Sequence, residues 1–413
     1  MNLINKENFF FLLFLFLPVS IILGPAISLI NIIILNVFFL IFLISQKKFN
    51  FIKHNSIKLI SLLYLYLIFN SFISQNYEVG LARNFGFIRL IILFIFINYF
   101  FFYYDNEKKL FYFWALILSI LIIDVFVEYF LNTNLLGWGG NNKLYGDRIT
   151  SFFKDEPIVG AYLAGFIFLI FGHFLKTFNK KTFALLFLLF AFMAIIFTGE
   201  RSNTIKVISG IIIYFLFLDF LKVRTKLAVI ILFFTTFGII ISQSEYLKIR
   251  YIGQIYDVLS NQRNFQKFKE NNQYIRLYKS GYLVFKNYPI FGVGNKNYRV
   301  ETCKDASEQL KYDYVCLTHP HQLYFELLSE HGLFGFVIIL SIFFYLMFKI
   351  LKSILLSRNY IQIGAFVFVL INFIPLLPSG SFFSDFNFTL FWINFSIMFA
   401  CSKKTNIFAK NNI

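Results

Sequence analysis

The sequence predicts an all-α, polytopic membrane protein with about twelve transmembrane helices and one large outward-facing loop containing amphipathic helices. Three observations carry this reading. The 413 residues are 58% hydrophobic and 14% charged, with mean hydropathy +0.70, whereas a soluble domain carries about 25% charged residues. Apolar runs long enough to cross about 30 Å of hydrocarbon follow one another with only brief polar breaks. The basic residues collect in alternate breaks.

The runs fall near 9–24, 26–44, 58–74, 85–102, 111–131 and 157–175, then near 182–198, 204–221, 226–242, 333–351, 360–377 and 384–400. The first reads as an uncleaved anchor, because no small-residue cleavage site precedes the second. The 62 phenylalanines are spread through every apolar run, so they read as lipid-facing filler and not as stacking platforms for sugars or bases.

One set of alternate loops holds Lys47, Lys48, Lys53, Lys58, Lys108, Lys109, Lys176, Lys180, Lys181, Lys222, Arg224 and Lys226; later members hold Lys349, Lys352 and Arg358, and the tail holds Lys403, Lys404 and Lys410. The intervening short loops are poor in Lys and Arg. The positive-inside rule therefore puts both termini and the basic loops in the cytoplasm, and the long loops at 132–156 and 243–332 outside. The net charge of +17 thus reports topology, not a nucleic-acid partner. Three regions follow: residues 1–242 with nine spans, the loop 243–332, and residues 333–413 with three spans and a cytoplasmic tail.

Cys303 and Cys316 share the outer loop, whereas Cys401 sits at the inner end of the last run. An oxidising compartment predicts a Cys303–Cys316 disulfide, with two free buried thiols as the alternative. Within the loop, 244–261 and 271–287 read as amphipathic helices suited to the outer leaflet, and the glycines of 289–295 mark a turn, since no strand precedes them as a phosphate loop requires.

Five polar motifs fall on the outer side: 147–157, 198–203, Arg276, 319–322 and 378–385. Arg201 stands at a boundary between two runs, beside Gly199 and with Ser202 and Asn203 as candidate helix caps. An arginine there either snorkels or binds an anion. Arg201 and Arg276 near a helix N-terminus suit a diphosphate, whose oxygens accept bidentate guanidinium hydrogen bonds; a solvated helix face is the plain alternative for Arg276. Pro320 favours extended backbone at His319 and predicts that His319 and His321 point to opposite sides. With no further close His or Cys set, a metal site is not expected. A histidine there suits a general base, since neutral imidazole, with a pKa of about 6.5, takes a proton from a hydroxyl near neutral pH; capping or hydrogen bonding in the loop is the plain alternative. Asp155 and Glu156 read as first-turn acids of the sixth span. Asp124 and Glu128, one turn apart inside the fifth run, call for a partner or a polar cavity, and Arg89 is a candidate.

These motifs resemble the O-antigen ligase and polymerase superfamily, membrane glycosyltransferases of the bacterial envelope. His321 is followed by Gln322 and, nine residues later, by Gly332-Leu-Phe-Gly335, the spacing of that family's ligases, although Phe336 departs from its usual small or Tyr residue. The boundary Arg201, the second arginine Arg276, Arg148 to Phe153 with Thr150 and Ser151 in place of Ser and Gly, and Pro375 to Phe383 are also similar to family patterns.

The resemblance implies transfer of a glycan from undecaprenyl diphosphate to a sugar hydroxyl, on lipid A core or a growing glycan, at the periplasmic face of the inner membrane, with no cofactor. It implies that His321 orients or deprotonates the acceptor, that Arg201 and Arg276 bind the diphosphate, and that His319 and Arg148 contact substrate. Besides substrates, membrane lipids are the expected partners, and no nucleic acid is. A repeat-unit polymerase is the alternative within this chemistry. A lipid-linked oligosaccharide flippase or transporter, with Asp124, Glu128 and Arg89 along its path, is the alternative outside it.

Overall fold

A computed structural model describes residues 3–138, 148–154, 156–253, 272–304, 307 and 311–409. Asp147, Asp155, Lys410 and the second half of the 244–261 helix expected from the sequence lie outside these residues. Among the described residues the secondary structure is entirely helical. The helices are α1 (Leu3–Leu15), α2 (Leu17–Leu23), α3 (Pro25–Gln46), α4 (Asn55–Phe72), α5 (Tyr77–Gly86), α6 (Ile88–Tyr103), α7 (Glu107–Leu131), α8 (Val159–Thr177) and α9 (Lys181–Phe197). They continue with α10 (Arg201–Leu216), α11 (Val223–Gln243), α12 (Glu245–Lys248), α13 (Gln273–Asn287), α14 (Tyr298–Thr302), α15 (Leu323–Ser357), α16 (Tyr360–Ile371) and α17 (Asp385–Ala400).

Every apolar run becomes helix, but among the described residues only seven helical segments are long and apolar enough to cross a membrane unaided. The first run breaks into α1 and α2, with Pro18 in the first turn of α2. At 1.5 Å per residue, the 16 residues of α10 and of α17 and the 12 of α16 fall short of a 30 Å core.

The centre of the bundle is α8, almost wholly buried, packed against α16. Gly172 and Gly364 permit this approach: a Cβ on either would lie under 2.5 Å from the backbone of the other helix. Asn394 of α17 donates to Gly165 O of α8 at 2.8 Å, and Trp392 fills the space beside Phe87 and Phe94.

Gly332 breaks α15, with φ +61° and ψ −170°. The break frees backbone groups on both sides, and the turn at 289–295 takes them up. Val293 N donates to Ser329 O at 3.0 Å and Gly294 N to Glu330 O at 2.9 Å, while Leu333 N donates to Pro289 O at 2.8 Å and Phe334 N to Ile290 O at 3.0 Å. The glycine turn read from the sequence is therefore the clasp that fixes the first part of α15. The amphipathic helix at 271–287 is α13, capped by the Asn272 side chain.

Candidate functional site

A cavity of about 1930 Å³ opens among these helix ends and loops. Arg148, Arg201, His319 and His321 line it, and so do Lys206, Arg250, Lys296 and Arg299, which sequence reasoning did not single out. Arg276 is exposed and absent from the wall; it sits two residues from both Tyr274 and Tyr278, which line the cavity, so the helical turn of α13 directs it away.

The two histidines do not diverge as Pro320 led us to expect: their ring centroids lie 4.0 Å apart. Residues i and i+2 of an extended segment share one side, so opposed rings did not follow from Pro320; at His321 itself φ is +54°, in the left-handed region. Ser379 N holds this turn from behind, donating to His321 O at 2.8 Å, and the Gln322 side chain caps α15 by accepting from Phe325 N at 2.9 Å. His319 Nδ1 lies 2.9 Å from Thr318 Oγ1; its Nε2 is buried with no hydrogen-bond partner among the described residues. Burial, helped by the Lys296 charge, brings the His319 pKa down to about 4. Burial and the neighbouring His319 bring His321 down to about 4 as well, against an opposing pull from Glu326. Both rings are neutral near pH 7. Ser381 links this wall together, accepting from Lys296 Nζ and donating to Glu326 Oε1 at 2.5 Å.

The opposite chemistry is built on the 198–203 turn. Gly199 has φ +68°, and Arg201 opens α10 with its amide 3.1 Å from Gly199 O. Neither Ser202 nor Asn203 caps this helix, because Glu200 occupies the N-cap position. The Asn203 amide donates to Glu200 Oε2 at 2.6 Å, and Oε1 accepts from Gly160 N in the first turn of α8 at 2.6 Å. Burial lifts the Glu200 pKa to about 7, although these two donors and the Arg148 charge oppose the shift. Arg250 Nε donates to Gly199 O. Burial and the Arg148 and Arg201 charges hold the Arg250 pKa below the usual arginine value, so three guanidinium groups share one neighbourhood. Arg148 Nε is buried without a hydrogen-bond partner among the described residues. Arg250 lies a few residues past the C-terminal end of α11, close to where Arg201 begins α10, among other basic residues that gave no signal to single it out.

Residues 184–340, which include Arg201, Arg250, His319 and His321, match the family model described as O-antigen ligase. The match supports membership of the O-antigen ligase superfamily. No curated protein matches the chain. Members of this O-antigen ligase family are glycosyltransferase-like enzymes, with lipid-linked glycan and glycan acceptor partners in general.

In this O-antigen ligase-like chain, Asp124 and Glu128 are not partners of Arg89. Asp124 accepts from Leu135 N at 2.7 Å and from Ser151 Oγ; Glu128 accepts from Thr150 N at 3.2 Å and Ser151 N at 2.6 Å. The two buried acids thus clamp the loop that presents Arg148. Ser151 has φ +48°, a conformation that favours the glycine of the family pattern, and its hydrogen bonds to these acids stabilise the serine. Arg89 and Arg83 both pair with Asp385, a bond that ties α5 and α6 to the start of α17. Glu156 lies three residues before α8, at the cavity wall and not in the helix's first turn. Cys303 and Cys316 form a disulfide, Cα atoms 4.6 Å apart, which ties the end of α14 to the segment leading into His319. Among the described residues no group of three His, Cys, Asp or Glu converges.

Proposed function

We propose that the chain moves a glycan from undecaprenyl diphosphate to a sugar hydroxyl, on lipid A core in a ligase reaction, at the periplasmic face of the bacterial inner membrane. The observation that carries this reading is the single cavity that holds a neutral imidazole pair and a cluster of three arginines.

A neutral imidazole accepts a proton and a guanidinium cluster binds phosphate. In the proposed reaction the acceptor hydroxyl gives its proton to the His321 ring as its oxygen bonds to the anomeric carbon. The bond from that carbon to the diphosphate oxygen breaks, and the electron pair leaves with the diphosphate. Arg148, Arg201 and Arg250 stabilise the charge that develops there, a task a metal ion performs in other transferases. His319 supports the His321 ring. Displacement of this kind inverts the anomeric centre, and the glycosyl diphosphate itself supplies the leaving group without a cofactor.

The topology belongs to the same proposal. The α1–α2 pair and the short helices α9, α10, α16 and α17 complete about twelve spans by local bilayer thinning and end residues reaching the interface, with both termini cytoplasmic. Purified chain in proteoliposomes, given an undecaprenyl diphosphate-linked glycan and lipid A core, tests the function: labelled glycan on the core supports it. Glycan that crosses the bilayer without changing carrier would instead support a flippase.

A further inference from the structure

Lys206 carries a charge that the reaction above does not use. It lies in α10, one turn beyond Ser202, and both residues line the cavity. Its Nζ has a neutral partner, Asn372 Oδ1 at 3.2 Å, and no salt bridge joins it to a carboxylate among the described residues. The amide of Asn372 is oriented for this contact, because its Nδ2 donates to Phe368 O at 2.9 Å. An ammonium inside a membrane-spanning helix is costly unless it faces a polar cavity or meets an opposite charge. Lys206 faces the cavity but lacks the opposite charge.

Its surroundings say which anion fits. The side chain of a helical residue leans toward the helix N-terminus, which in α10 is the Arg201 end. Asn372 follows the last residue of α16, so the ammonium is held at that helix's end. Around it the cavity wall is apolar, formed by Ile205, Phe368 and Ile371. Lys206 therefore stands where an apolar wall meets the arginine-bearing turn.

Resting on the lipid-linked donor proposed above, we infer that Lys206 binds the phosphate attached directly to the polyprenyl chain, while Arg148, Arg201 and Arg250 hold the phosphate attached to the sugar. The apolar wall takes the first isoprene units. Lys206 then acts as a depth gauge: it fixes how far the carrier enters and so where the anomeric carbon meets His321.

The test is binding of undecaprenyl monophosphate, undecaprenyl diphosphate and undecaprenol to the detergent-solubilised full chain. The monophosphate has only the lipid-proximal phosphate. Lys206→Met should weaken monophosphate binding about tenfold, Lys206→Arg should retain it, and Arg201→Gln should weaken the diphosphate but spare the monophosphate. Monophosphate binding unchanged in Lys206→Met, or lost equally in Lys206→Arg, overturns the inference. Wild-type chain that binds both phosphorylated lipids no better than undecaprenol would instead overturn the donor assignment itself.

Discussion

The His319 and His321 rings lie 4.0 Å apart, with His321 at φ +54° and Ser379 N donating to its carbonyl from behind. A buried and a half-buried imidazole at that distance resist protonation, and this sets the expected pH behaviour. Both pKa values are lowered to about 4, so the base is in its neutral form above that value and loses it as pH falls through it. At saturating donor, transfer should be flat from about pH 7 to about pH 5 and fall below that, unlike the limb near 6.5 of an unperturbed histidine. A pH profile of initial rates in proteoliposomes checks this.

The arginine cluster separates residues that sequence spacing treated alike. Arg250→Gln should lower transfer about a hundredfold, because it removes a half-buried donor beside Arg148 and Arg201. Arg276→Gln, on an exposed face of α13, should change it by less than about threefold. Rates of both variants at equal protein levels decide the point.

Glu200 should make donor binding pH-dependent. Its pKa is raised to about 7 by burial, so acidification through that value removes a negative charge from beside Arg148. Affinity for undecaprenyl diphosphate should tighten as the buffer moves from about pH 8 to about pH 6, and Glu200→Gln should flatten the dependence. Titrations of the lipid at both pH values measure it.

Gly335, the second glycine of the histidine motif, is a packing requirement. A Cβ there would fall 1.7 Å from Tyr66 Oη. Gly335→Ala should destabilise the fold by about 1–3 kcal/mol, and Tyr66→Ala in the same chain should restore part of the loss. Thermal unfolding of the single and double variants reads this directly.

Much of this fold was legible because the bilayer leaves few choices: each apolar run had to satisfy its own backbone, and each became helix. The break between α1 and α2 and the short α16 were not legible, since hydropathy does not report where a helix stops inside an apolar run. Arg201, Arg148 and His321, picked out by boundary position and motif spacing, all line the cavity. Arg250 was hidden among ordinary basic residues, and the pairing of Asp124 and Glu128 with the 150–151 backbone depends on a loop conformation that spacing does not encode. The histidine pair was misread because extended backbone repeats every two residues and so puts positions i and i+2, here His319 and His321, on one side.

The central claim is that His321 carries out proton transfer in a cavity whose arginines bind the donor independently. The decisive measurement is undecaprenyl diphosphate binding and glycan transfer on the same purified His321→Ala preparation. The account predicts wild-type binding with transfer reduced by a factor of about 10² to 10⁴. Transfer at the wild-type rate, or a loss of binding as large as the loss of transfer, would contradict it.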